Sequence, residues 1–445
     1  MHNHSRRKFL TTSASVSGVG LLAGLPVVSS RQANLAADQV RFYNGIEPTV
    51  RLIEQTSREK LLDAVADRIR KGLSYREVLA ALFLAGIRNV QPRPSVGFKF
   101  HCVLVVNSCH LASLSGPDSD RWLPIFWALD YFKSSQGDES RRSGWKMSPV
   151  DESQIPSPRK CRQEFITAMQ NWDVARADVA AAGVVRHLGA VEVFGLFARF
   201  AARDYRSIGH KAIYLANAWR TLQVIGWEFA EPIMRSLAFA LLNHNGETNP
   251  SEADHLVDRP WRTNGERIAE IPQDWLGGKI DHGVPKELFS VFREGDPDAS
   301  SRQALQALKK GVSPQSIWDG IFVGAGELLM RQPGIIGLHG LTTANAMHFL
   351  WKTTGDDQLR RRLLLQASSF QPLFRESAKK RGKLAARYVG QLGDDSVPLS
   401  KREPLGEILA EISSDPLSAA RKTRRFLGQG GSSYRFVDAT RRLFF

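Results

Sequence analysis

The chain has 445 residues and a formal charge of +15, with 42% hydrophobic and 24% charged residues. These are the proportions of a globular protein, and the length is enough for a large core in two or three domains. Three cysteines (Cys102, Cys109 and Cys161) in so long a chain exclude a disulfide scaffold, and no Cys-x-x-Cys-His attachment site for haem exists. Cys102 and Cys109 on one helix would stand about 10 Å apart along its axis, too far to bridge.

The N-terminus reads Ser5-Arg6-Arg7-Lys8-Phe9-Leu10, followed by an uncharged stretch to Ser30 containing several Gly and Ser residues. A basic head, a mildly apolar run and small residues make a secretory signal, and this head resembles the twin-arginine signal. The resemblance implies export through the twin-arginine translocase to the periplasm or beyond. Cleavage is expected after Ser30, with Ala36 or Ala37 as alternatives. We place the signal at 1–30.

Helical periodicity governs the rest. Leu61, Leu62, Val65 and Ile69 share a face, with Ser57 as cap and Gly72 as stop. Ser74 and Glu77 before an apolar run make a capping box. We expect an all-α protein of stacked helical hairpins, with a first helical repeat at 31–133 and a polar linker at 134–162. A middle helical block at 163–243 and a loop-rich segment at 244–300 follow. The second copy of the repeat is placed at 301–355 and a basic helical C-terminal region at 356–445.

The repeat rests on matching residues. Lys71, Gly72 and Ser74 match Lys310, Gly311 and Ser313; one gap later, His101, Asn107 and His110 match His339, Asn345 and His348. A weaker middle copy starts at Glu192. Its Asn217 and Arg220 align with the Asn and His positions, and its His210 stands one position off register. The second helices carry no charged residue over 100–117 and 332–351. Their histidines and asparagines argue for burial in protein rather than in a bilayer.

Asn107 and His110 lie three residues apart on one helical face, as do Asn345 and His348. Buried Asn and His must find partners. One reading is mutual hydrogen bonding in the core. The other is that His110 and His348 meet at a pseudo-two-fold axis as catalytic residues, with Asn107, Asn345, His101, His339 and His210 binding a cofactor. Imidazole suits metal ligation and titrates near neutrality. Glu77, Glu192 and Glu327 are the candidate carboxylate partners. The pattern names neither a cofactor nor a metal, and it leaves the oligomeric state open.

Catalytic motifs of zinc proteases, serine hydrolases, nucleotide-binding loops and dinucleotide folds are absent. Gly428 to Ser432 reads as a flexible turn. The Gly-x-Ser start and following apolar helix resemble the repeated unit of carboxymuconolactone decarboxylase and AhpD-like proteins. The AhpD redox signature of two cysteines and a histidine is missing, so that resemblance does not carry peroxidase activity here. Histidines on long helices with Asn-Ala-x-(His/Arg) segments are similar to questin oxidase-like proteins, which implies oxidation of aromatic compounds. The resulting expectation is an exported oxidoreductase-like enzyme with a histidine-lined buried pocket. Its alternative is a non-catalytic envelope protein whose arginine-rich C-terminal part meets anionic polymer or lipid. No specific nucleic-acid partner is expected.

Overall fold

The computed structural model describes residues 45–92, 100–242, 249–250, 252–392 and 398–444. The expected signal, 1–30, lies outside them. The described chain is all-helical, and its one β interaction is an isolated bridge between Lys279 and Val312.

Helices α1 (Ile46–Gln55), α2 (Arg58–Arg70) and α3 (Tyr75–Asn89) come first, then α4 (His101–Leu104), α5 (Val106–Ser115) and the long α6 (Leu123–Arg142). The middle block holds α7 (Cys161–Gln170), α8 (Val174–His187), α9 (Ala190–Ala201), α10 (His210–Ile225) and α11 (Ala230–Leu242). Next come α12 (Arg259–Arg267), α13 (Val284–Glu294), α14 (Pro297–Lys309), α15 (Pro314–Arg331), α16 (Ile335–Thr353) and α17 (Asp357–Lys379). The chain ends with α18 (Pro404–Glu411), α19 (Pro416–Gly428) and α20 (Ser433–Arg441). The segment expected as a polar linker thus begins inside α6, and the loop-rich segment contains α12 and α13.

Two places share one local design. α2 stops at Gly72, whose φ of +102° suits glycine, and the amides of Gly72 and Leu73 turn back to the carbonyls of Ile69 and Arg68. α14 stops at Gly311 with φ +77°, and the amides of Gly311 and Val312 return to Leu308 and Ala307. Ser74 then caps α3 in a full capping box with Glu77, its amide donating to the Glu77 carboxylate at 2.9 Å. Ser313 caps α15, with Pro314 in the first turn. Each cap is followed by an apolar helix, a break and a histidine-bearing helix.

One apolar cluster runs from Val50 to Ala378 and takes in residues of α1–α11 and α13–α17. α5 and α16 are buried in this body on most sides. No helix among the described residues is long and apolar enough to cross a membrane. The terminal helices lie outside the cluster. They meet it where α20 packs on α5 and Arg441 Nη1 donates to Ser115 Oγ at 2.6 Å.

The arginine run at 360–362 is not a free basic surface. Arg360 Nη2 donates to the Thr354 carbonyl at 2.8 Å, Arg361 Nη1 to that of Ile271 at 2.5 Å, and Arg362 Nε to that of Trp261 at 3.0 Å. These side chains satisfy carbonyls at the end of α16, after α12 and within α12, all beside α17, whose face is the core of the second half. Lys379, Lys380 and Arg381, in contrast, are exposed.

Candidate metal centre

Three segments far apart in the chain each deliver one histidine to a common point. His101 opens α4, His210 opens α10, and His339 lies in the second turn of α16. α10 packs against α4, α5 and α16. The turn before α10 is sharply set: Ile208 has φ +45° and Gly209 φ +82°. A Cβ on Gly209 would overlap the Thr343 side chain, so α10 reaches α16 this closely only with glycine there. His210 is thereby fixed at the N-terminus of its helix.

The Nε2 atoms of His101 and His210 are 3.1 Å apart, and those of His210 and His339 are 3.2 Å apart. The three residues present ligand atoms all within 4.8 Å of one another. His210 and His339 are buried and His101 half-buried. His210 Nδ1 lies 2.7 Å from the Ser207 carbonyl, and His339 Nδ1 lies 2.6 Å from that of Ile335. A carbonyl only accepts, so both Nδ1 atoms carry the proton, an assignment made from these partners. The two Nε2 atoms of the neutral rings then face each other with lone pairs. Facing acceptors at this distance repel unless a cation stands between them.

A proton is a poor choice for that cation. Burial pushes the His210 imidazolium down to about 3, and the neighbouring His339 and His101 push the same way. Burial also lowers His339. A metal ion fits better. Ligands to one ion with metal–nitrogen bonds of about 2.0–2.1 Å sit about 3.3 Å apart in a tetrahedron, close to the two separations here. Carbonyls that hold Nδ1–H are the outer contacts metal-binding histidines ordinarily make.

The other expected residues are placed elsewhere. His110 does not meet His348. Its Nδ1 lies 3.0 Å from the Tyr75 hydroxyl, and burial depresses it to about 4. His348 stacks on Trp351 with ring centroids 5.8 Å apart and packs on Trp318 and Phe322. Its Nε2 is buried without a partner, as are the indole nitrogens of Trp318 and Trp351. No hydrogen bond or ring contact joins the two histidines, because the faces they share with Asn107 and Asn345 turn toward different helices.

The asparagine positions tie the histidine helices together. Asn217 Nδ2 donates to the Leu104 carbonyl of α4 at 3.0 Å, and Arg220 Nη2 donates to Asn345 Oδ1 of α16 at 2.9 Å. Asn107 is buried on α5. None of these amides belongs to the ligand cluster, and none of the candidate carboxylates does either. Glu77 is held in its capping box, Glu192 pairs with Arg162, and Glu327 pairs with Arg293. Among the described residues the cluster is histidine alone.

The sequence flagged His101 and His339 through their matching positions in the two outer segments, with His210 one position off that register in the middle one. It did not single them out over His110 and His348, because the deciding signal is their place beside the helix-starting breaks. Comparison with protein families, with characterised proteins and with solved structures finds no significant match for this chain.

Proposed function

We propose that this protein is a metal-dependent enzyme, an oxidoreductase, whose working ion is a single first-row transition metal held by His101, His210 and His339. The observation that carries the reading is the convergence of three Nε2 atoms, with separations of 3.1 and 3.2 Å, and the commitment of Nδ1 of His210 and His339 to backbone carbonyls. Three imidazole ligands suit iron, copper, nickel or zinc, and leave coordination positions for a small ligand. The ion would supply Lewis acidity and, if redox-active, electron transfer. The chain's part is to fix the ligands, exclude bulk water and hold their tautomers. The oxidoreductase reading follows from the suitability of three imidazoles for iron or copper and from the resemblance of the histidine-bearing helices to questin oxidase-like proteins. We further propose that the protein is exported folded through the twin-arginine translocase, on the strength of Arg6, Arg7 and Phe9.

Metal analysis of purified protein after loading with Fe(II) or Cu(II), with electron paramagnetic resonance of the Cu(II)-loaded form, tests the reading. One equivalent bound, with imidazole-nitrogen couplings, supports it. Absence of stoichiometric metal after loading removes the centre. Tight binding of zinc with no affinity for a redox metal keeps the centre and removes the oxidoreductase.

A further inference from the structure

The turn that presents His210 also carries a dense group of buried charges. Asp204 and Lys211 are 2% and 1% exposed, and their Nζ–Oδ2 distance is 2.7 Å. Arg206 grips Asp258 from α12's start through two bonds, Nε to Oδ1 at 3.0 Å and Nη2 to Oδ2 at 2.6 Å, with both side chains almost fully buried. Arg203 is the third cation of this group and is 6% exposed. Its Nη1 donates to the Met169 carbonyl at 3.0 Å, while its Nε and Nη2 have no partner at all. The guanidinium lies over the rings of Trp172 and Phe200. The group therefore holds three buried cations against two carboxylates.

Arg203 lines a cavity of about 240 Å³, together with Arg199, Phe200, Trp261, Arg262 and Arg362. The charges on this wall do not balance. Arg262 is engaged by Asp254 at 2.7 Å, and Asp258, the acid among the lining residues, is committed to Arg206. Arg362 lies 3.6 Å over the Trp261 ring and bonds to the Trp261 carbonyl, with no carboxylate beside it. Burial and the neighbouring Arg199 pull it down to about 10. Arg199 stands exposed at the rim. Two buried guanidiniums, those of Arg203 and Arg362, thus face one small space, with the exposed Arg199 at its rim and no carboxylate bonded to any of the three. Such crowding of like charge away from water is costly and is relieved by an anionic group.

The shape of the space narrows the choice of anion. It is too small for a polymer segment and falls just short of the about 300–1,000 Å³ of drug-sized pockets. Guanidinium forks match the paired oxygens of carboxylate and phosphate. Phe200 and Trp261 offer apolar wall to a compact organic body. We propose that this cavity binds a small organic oxyanion, a carboxylate or phosphate, with Arg203 and Arg362 holding its charged end and Arg199 guiding it at the rim.

The site stands on its own charge balance and does not depend on the histidine centre. The test is calorimetric titration and thermal melting of the full mature chain with inorganic phosphate and, separately, with benzoate. Both metal-loaded and EDTA-dialysed protein are used, so that a failure of the metal reading leaves this result interpretable. At least one of the two anions binds and raises the melting temperature, and which one does so separates the phosphate source from the carboxylate source. Arg199→Gln, at an exposed position that does not threaten folding, weakens binding about tenfold, which is about 1.4 kcal/mol. Arg362→Gln abolishes it. Arg203→Met, similar in volume, also abolishes the anion-dependent rise while leaving the anion-free melting temperature equal to or above that of the parent, because it removes the uncompensated charge. The proposal is overturned if neither anion binds the parent protein at millimolar concentration. It is equally overturned if Arg199→Gln and Arg362→Gln bind as the parent does.

Discussion

His210 Nε2 sits 3.2 Å from His339 Nε2, and each ring has already given its proton-bearing nitrogen to a backbone carbonyl. That relationship defines the centre, since two lone pairs are held together by helices that have no freedom to separate them. α10 is locked against α16 by the glycine contact at Gly209 and Thr343.

Replacing His210 by Ala removes the central ligand, the one within bonding range of both others. We expect bound metal to fall below a tenth of an equivalent by plasma mass spectrometry. His110→Ala keeps full metal content, because His110 bonds Tyr75 and not the cluster. It costs about 1–3 kcal/mol of stability through the unmet buried polar group and the lost packing. Equal metal loss in both variants would contradict the assignment.

Acid should destabilise the metal-free protein well above the carboxylate range. His210 and His110 titrate near 6.5 when unfolded but at about 3 and about 4 when folded. The unfolded state therefore binds more protons as pH falls below 6.5, so their stabilising contribution is full above that value and lost progressively toward the folded values. At pH 5 each imidazole has cost about 2 kcal/mol. Denaturant melts between pH 7.5 and 5 should show this fall, and a flat profile would be inconsistent with two buried neutral histidines. Metal loading steepens it, since protons compete for the ligand nitrogens.

Lys211→Met leaves the buried Asp204 carboxyl without its 2.7 Å partner. Removing one member of a buried pair costs about 3–5 kcal/mol. Chemical denaturation of the variant measures it. A loss below 1 kcal/mol would mean that water reaches Asp204 in solution.

Gly209→Ala adds a methyl group where φ is +82° and where Thr343 already fills the space. The start of α10 must move, and His210 moves with it. We expect lower stability together with weakened metal affinity. Gly45→Ala, at an open site ahead of α1, serves as the control with neither effect.

The proposed export depends on a receptor-read pair rather than bulk charge. Arg6→Lys with Arg7→Lys preserves the charge and should retain the precursor inside the cell. Fractionation and immunoblotting report the outcome, and normal export of the double variant would end the assignment.

Much of the fold was legible because its signals are local. Apolar spacing marked α2, the Ser74–Glu77 box marked the start of α3, and Gly72 and Gly311 marked helix ends where only a short backbone segment decides the outcome. Uncharged windows containing His and Asn identified α5 and α16 as buried. The matching residues of the two outer segments also put His101 and His339 on one short roster, with His210 one position off register beside them. Tertiary packing decided which of the histidines meet. His110 and His348 share the same sequence spacing to an asparagine, yet one faces Tyr75 and the other Trp318 and Trp351. Packing likewise turned Arg360, Arg361 and Arg362 from a basic run into three carbonyl-bonding side chains, and it placed Arg203 and Arg362 on one cavity wall. The physical reason is range: caps, stops and helical faces are set within a few residues. Convergence of side chains more than a hundred positions apart depends on crossing geometry between helices, which no local pattern encodes.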